Sequence, residues 1–150
     1  MHSYTEVKIS PYSVKKLFDL VADIESYPEF VPWCSGARIL SIDKNIITAE
    51  LLVNFKAFVE KYTSHVELIK PTKNRKEAEI KVKMIEGPFN YLTNDWKFRP
   101  HELGGTEISF EISFEFKSKI MNSLFGYVFE TATKKMMNAF SLRADHLYGP

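Results

Sequence analysis

A chain of 150 residues and 17.4 kDa fits one domain, since a core that buries about two thirds of the unfolded surface forms at this length without disulfides or metals. The composition, 45% hydrophobic and 26% charged, excludes a disordered or low-complexity protein. Twenty basic against 19 acidic residues leave a net charge of +1, so no global field recruits nucleic acid, and the single cysteine, Cys34, excludes an internal disulfide and a cysteine-rich zinc site. Twelve Phe, 7 Tyr and 2 Trp make the chain unusually rich in rings. No segment approaches the roughly 20 apolar residues that span a bilayer. The N-terminus alternates from Tyr4 to Ile9 like a strand and lacks the regions of a signal peptide. The expectation is a cytoplasmic protein whose membrane contact, if it has any, is peripheral.

The alternation predicts a first strand with Thr5, Val7 and Ile9 on its apolar face. Ser10-Pro11 reads as a cap followed by a first-turn proline, and Val14, Leu17, Phe18 and Val21 continue at helical spacing to about Ala22. Pro28 and Pro32 then limit the segment Glu25–Cys34 to a turn of helix and a rigid aromatic loop. From Gly36 to Lys117 the period is two. Leu51, Val53 and Phe55 form one alternating set, then Tyr62, Ser64, Val66 and Leu68. Ala78, Ile80, Val82 and Met84 follow, then Leu92, Asn94, Trp96 and Phe98, and finally Ile108, Phe110, Ile112, Phe114 and Phe116. Apolar-in, polar-out alternation marks an antiparallel sheet with one wet face, so the stretch from Gly36 to Lys117 reads as about six strands, which with the first predict a seven-stranded meander. Lys119 to about Leu147 reads as one long helix whose apolar face carries Met121, Phe125, Phe129, Met136 and Phe140, with Gly126 as a site of close approach or bending. The fold class is α+β: a sheet whose apolar face is covered by the C-terminal helix.

Catalytic chemistry finds little support. The four histidines are scattered without metal-ligand spacing, and His65 lies on the polar phase of its strand. Cys34 reads as a buried structural thiol, and Gly104-Gly105 as a hairpin turn rather than a phosphate loop. No pair of carboxylates stands in an acid–base motif. What remains is a lining that is either a filled aromatic core or the wall of an apolar cavity between sheet and helix. The candidate lining residues are Trp33, Phe55, Tyr62, Ser64, Met84, Asn94, Trp96, Phe114, Phe129, Met136 and Phe140. Ser64 and Asn94 are inward polar groups and need partners, because an unpaired buried hydroxyl or amide costs about 1–3 kcal/mol. Arg143 interrupts the helix's apolar stripe and reads either as a cation paired with an acid such as Asp23 or as a contact at a pocket mouth. The stretch Lys56–Lys83 holds eight basic and four acidic residues, with Lys70, Lys73, Arg75 and Lys76 at one hairpin, which is either a soluble turn or a dock for anionic lipid or ribosomal RNA.

The stretch from Leu17 to Cys34, ending Tyr27-Pro-Glu-Phe-Val-Pro-Trp-Cys34, closely resembles the signature of the coenzyme Q-binding protein family of the START-like polyketide cyclase superfamily. The resemblance continues through Tyr62-Thr-Ser-His-Val66, Gly87-Pro-Phe89, Trp96-Lys-Phe98, Phe114-Glu-Phe116 and Ala139-Phe-Ser-Leu-Arg-Ala144, covering essentially the whole chain. That family also includes bacterial ribosome association toxins, called RatA, which these motifs do not separate from the quinone-binding branch. The resemblance implies a helix-grip fold around a hydrophobic tunnel. It implies a non-enzymatic carrier of ubiquinone (coenzyme Q) or a related polyprenyl lipid, with the Tyr27–Cys34 loop and Trp33 at the tunnel wall. It implies no catalytic cofactor and no metal, the quinone being a bound ligand that Asn94, Ser64 or Tyr62 contacts. A location at the inner membrane surface follows for that branch, and binding to the large ribosomal subunit that blocks subunit association follows for the other.

Overall fold

The computed structural model describes residues 2–55, 58–126 and 128–150, apart from the side chains of Phe55 and Phe58. The alternating runs form strands β2 (Cys34–Asp43), β3 (Ile46–Phe55), β4 (Phe58–Ile69), β5 (Ala78–Glu86), β6 (Phe89–Pro100) and β7 (Thr106–Phe116), each antiparallel to the next. Strand β1 (His2–Ser10) pairs with β7 rather than with β2, giving the order β1-β7-β6-β5-β4-β3-β2. The seven strands are therefore a six-strand meander with β1 added at its far edge. Helix α1 (Val14–Ala22) packs on β5 and β6, and a 3₁₀ turn (Ile24–Glu29) packs on β2, so this segment carries the chain across the sheet from one edge to the other. The architecture is the α+β helix grip expected from the sequence, an antiparallel sheet whose apolar face packs against the C-terminal helix.

Three local expectations are corrected. Helix α1 begins at Val14, where Ser13 rather than Ser10 is the cap and accepts a 3.3 Å hydrogen bond from the Lys16 N–H. Pro11 lies before the helix, not in its first turn. On β1 the faces are reversed: Val7 and Ile9 are 63% and 55% exposed, while Tyr4, Glu6 and Lys8 turn inward. The register explains this, because Tyr4, Glu6 and Lys8 lie opposite Ile112, Phe110 and Ile108, and residues directly opposed on antiparallel strands share a face. The strongly patterned β7 sets the phase of its weaker neighbour. The C-terminal helix is divided into α2 (Lys119–Gly126) and α3 (Phe129–Tyr148), with Val128 as the residue before α3. Asn122 holds α2 on the sheet: its side chain accepts from the Phe116 N–H at 2.9 Å and donates to the Phe116 carbonyl at 3.0 Å.

The other end of α3 is tied to α1. The Tyr12 hydroxyl donates to Asp145 at 2.6 Å and the Tyr148 hydroxyl to the Lys16 carbonyl at 3.0 Å. Arg143 pairs with Glu29 at 3.3 Å, not with Asp23, and lies 5.0 Å over the Phe30 ring, so the aromatic loop shields the cation. The core divides in two. A large cluster joins α1, the 3₁₀ turn and the middle of the sheet around Trp96, Phe98 and Phe140, and a ring-rich cluster of Phe89, Phe114, Phe116 and Phe129 lies beneath α2 and the start of α3.

Candidate apolar cavity

Small residues leave the space that the larger ones enclose. On the inward face Ala49 of β3 lies directly opposite Ser64 of β4, both almost fully buried, and Ser64 also adjoins a register shift where Ile85 is bulged out of β5. Bulges bend a sheet and occur preferentially beside functional sites. Above this pair a cavity of about 120 Å3 opens, walled by Tyr27, Val31, Trp33 and Cys34 of the aromatic loop, by sheet residues including Tyr62, Asn94 and Trp96, and by Met136 and Phe140 of α3. A second lobe of about 130 Å3 continues toward α2, among Phe89, Phe114, Phe116, Phe125 and Phe129. The lobes share Trp33, Val53, Tyr62, Leu92, Ile112 and Met136, so the flexible Met136 side chain stands at the junction. The expected tunnel is thus two ring-sized hollows end to end. A third hollow, about 170 Å3, lies between β1, α1 and α3, and Trp96 and Phe140 form the partition between it and the first lobe.

The expected lining residues distribute as follows. Ser64, Asn94, Trp96 and Phe140 line the first lobe, Phe114 and Phe129 the second, and Trp33, Tyr62 and Met136 both. Met84 lines neither; it packs beside Gly87 against the ring cluster. Phe55 ends β3, and its side chain lies outside the described residues. Asn94 has its needs met within the protein, since its amide donates to the Glu111 carbonyl at 2.9 Å and accepts from the Trp96 indole at 3.0 Å. Its oxygen orients Trp96, and one of its two amide N–H groups is spent on the sheet backbone. Ser64 differs: 3% exposed, its hydroxyl has no hydrogen-bond partner among the described residues. Ala49, Ile24 and Val31 also line the lobes but carry no polar or aromatic signal in the sequence; Thr133 lines the second lobe with its hydroxyl bonded to the Phe129 carbonyl at 2.9 Å.

Burial sets the protonation of the site. It raises the phenols of Tyr27 and Tyr62 far above the ordinary value, and the Tyr27 hydroxyl donates to the Val21 carbonyl. The Cys34 thiol is also pushed up by burial and donates to the Gly36 carbonyl at 3.5 Å. A thiol held protonated in an apolar wall is a poor nucleophile. Trp33 occupies the left-handed region at φ 53°, which is unfavourable for a bulky residue, and its carbonyl accepts from the Asn54 N–H at 2.7 Å. Among the described residues no three His, Cys, Asp or Glu side chains gather to hold a metal, and no helix is long and apolar enough to cross a membrane.

The family model described as polyketide cyclase / dehydrase and lipid transport matches residues 10–141. The chain belongs to this family. Among its curated relatives, a protein named ribosome association toxin RatA from Rickettsia prowazekii is 45% identical over 147 residues, covering 98% of this chain and 99% of its own. A mitochondrial coenzyme Q-binding protein COQ10 homolog B from Xenopus laevis is 35% identical over 97% of this chain, which spans 59% of that protein. Both branches of the family named by the sequence motifs are therefore represented, and neither relative carries an enzyme's name. Among solved structures, the Zhui aromatase/cyclase of Streptomyces sp. R1128 superposes with a TM-score of 0.79 over 96% of this chain and 93% of its own, at 14% identity. At that identity the likeness extends to the fold alone.

A second feature, at the other end of the sheet, bears on the toxin branch. Lys70, Lys73, Arg75 and Lys76 are exposed on the β4–β5 connection, and none of them pairs with an acidic side chain among the described residues. The Arg75 guanidinium instead donates to the Lys70 carbonyl at 2.9 Å, stiffening the turn. Lys76 lines an open cleft together with Ser13, with Lys15 of α1 and with Pro100. Phe89, at the opposite end of β6, lines the second lobe. Eleven steps of strand, about 3.3 Å each, put the basic tip and that lobe roughly 36 Å apart.

Proposed function

We propose that this protein associates with the large ribosomal subunit as a regulator of subunit joining, docking its basic β4–β5 tip on ribosomal RNA. The reading is carried by the 45% identity, across nearly the whole of both chains, to a relative named as a ribosome association toxin. The unpaired Lys70–Lys76 cluster supports it, because four cations without acidic partners release counterions when they meet phosphates. In this reading the chain acts by binding rather than by catalysis. Gradient sedimentation of ribosomal subunits with added protein tests it. The expected result is co-sedimentation with the large subunit and fewer joined ribosomes. Reversal of all four charges to Glu should abolish both, and an undiminished effect of the reversed variant would overturn the reading.

A second reading rests on the apolar lobes and the family's lipid-transport description: the chain holds a polyprenyl quinone such as ubiquinone, or a related lipid, as bound ligand. Apolar burial at about 25 cal/mol per Å2 supplies the affinity. The COQ10 homolog supports it, with the limit that only part of that protein is matched. Extraction of the native protein and mass spectrometry should recover an isoprenoid lipid. Recovery of none, with no uptake on reconstitution, would overturn this reading and leave the first untouched.

A further inference from the structure

We propose that strand β1 is a pairing edge for a second copy of this chain. Two β1 strands join antiparallel about a two-fold axis through Val7, so that Glu6 of each copy lies opposite Lys8 of the other. Neither functional reading above depends on this pairing.

The sheet is open, and its two edges differ. At one edge β2 is irregular, with register shifts at Cys34/Gly36 and Ile39/Ser41. The 3₁₀ turn packs on it, and the Glu25 carboxylate accepts from the Ile39 N–H at 3.0 Å. Bulges and a covering segment are the usual means of blocking an edge. At the other edge β1 runs nine residues against β7 without a register shift and without proline. Among the described residues, no backbone group outside β7 hydrogen-bonds to it. Every second residue of β1 therefore turns its N–H and C=O away from the sheet, beside Val7 and Ile9, which are 63% and 55% exposed.

Charge selects the occupant and the register. Directly opposed residues share a face, so two copies that continue one sheet must set the inward Tyr4, Glu6 and Lys8 against inward residues. Centring the pair on Glu6 would oppose two carboxylates, and centring it on Lys8 two ammonium groups. Centring it on Val7 opposes Glu6 and Lys8 twice, Thr5 and Ile9 twice, and Val7 with its twin. This register runs from Tyr4 to Ser10, after which Pro11 has no N–H to continue it. It also supplies what each charge lacks. One Glu6 oxygen accepts from the Tyr4 hydroxyl at 2.7 Å, while the other is buried with no partner among the described residues. Lys8 pairs with no acidic side chain among them either. An unpaired buried carboxylate oxygen is unfavourable, and the cation of a second copy relieves it.

Sedimentation velocity and introduced cysteines test the pairing. The wild-type chain should show a concentration-dependent species of twice the 17.4 kDa chain mass, and a chain that stays monomeric at every concentration overturns the proposal. On oxidation Val7→Cys should give a covalent dimer, because opposed Cα atoms about 4.5–5.5 Å apart lie within disulfide reach. Ile9→Cys alone should not, since its twin lies four strand steps, about 13 Å, further along, but it should cross-link when mixed with Thr5→Cys. The wild-type chain, with Cys34 alone, is the control. Equal cross-linking through positions 7 and 9 overturns the register. Lys8→Glu and Glu6→Lys each turn both unlike pairs into like ones and should weaken the dimer about tenfold or more, and an equimolar mixture of the two should restore it. A mixture no tighter than either variant alone overturns the charge pairing. An inward lysine on an edge strand can instead guard against pairing, and then Lys8→Gln would strengthen self-association, which also overturns it. Val7 and Ile9 are exposed, so the cysteine experiment decides even where a charge reversal unfolds the chain.

Discussion

Phe140→Ala removes the partition between the first lobe and the hollow beneath α1. Phe140 is 7% exposed, and its ring lies 5.5 Å from Tyr27, 5.1 Å from Phe30 and 5.0 Å from Trp96, each in an edge-on arrangement. A buried Phe→Ala change costs about 3–5 kcal/mol, and three ring partners fixed by other elements cannot collapse into the gap, which places the loss near 4 kcal/mol. For a domain of this size that is a drop of about 8–16 °C in Tm, or about 2 M in urea midpoint at a slope near 2 kcal/mol per M. The conservative Phe140→Leu should cost less than about 1.5 kcal/mol. Equilibrium urea unfolding, followed by tryptophan fluorescence, measures both. The enlarged apolar space in the Ala variant should also take up benzene, and a concentration ten times its Kd should restore about 1.4 kcal/mol. A loss below about 1 kcal/mol, or no response to benzene, would refute the placement of Phe140 as a packed wall between two hollows.

Alkaline pH should destabilise the protein through its buried phenols. Tyr4 is raised to about 12, by burial and then by its hydrogen bond to Glu6, and Tyr27 and Tyr62 are raised by burial. The folded state thus keeps protons that the unfolded chain sheds above 10.0, so this contribution is full below that value and lost as pH rises through the folded-state values. Absorbance titration at 295 nm should show some of the seven tyrosines ionising only with unfolding; smooth titration of all of them near pH 10 in a folded chain would contradict it. Cys34 should resist a thiol reagent at neutral pH in the native state and react at once in denaturant, and rapid native labelling would place it outside the apolar wall. Gly87→Ala should destabilise by about 1–3 kcal/mol, because a Cβ there would meet the Tyr62 Cβ at 2.5 Å and the Met84 sulfur at 3.0 Å; an unchanged melting temperature would argue against that close approach.

The strand pattern was legible because β2 to β7 alternate against a wet face, and Ile108 to Phe116 alone fixes which side of the sheet is the core. The phase of β1 was not, because Thr5, Val7 and Ile9 look apolar by themselves and only pairing with β7 turns them outward. The break after α2 was visible only as Gly126, since the ring-rich face runs on through Phe129 and gives no other stop. At the cavity, the aromatic residues and Ser64 could be named from their phases. The satisfied state of Asn94 could not, because its partners Trp96 and Glu111 are brought to it by local geometry and by strand register. Ala49 was missed for a simpler reason: a cavity is set by small residues, and small residues leave no mark in a hydrophobic pattern.

The ribosomal reading is tested most directly by the salt dependence of large-subunit binding, measured for the wild-type chain and for a chain with Lys70, Lys73, Arg75 and Lys76 changed to Glu. Four phosphate contacts predict a log–log slope of about −3 to −4 for the wild type and binding too weak to measure for the variant. Tight binding by both chains with equal, shallow slopes would contradict it.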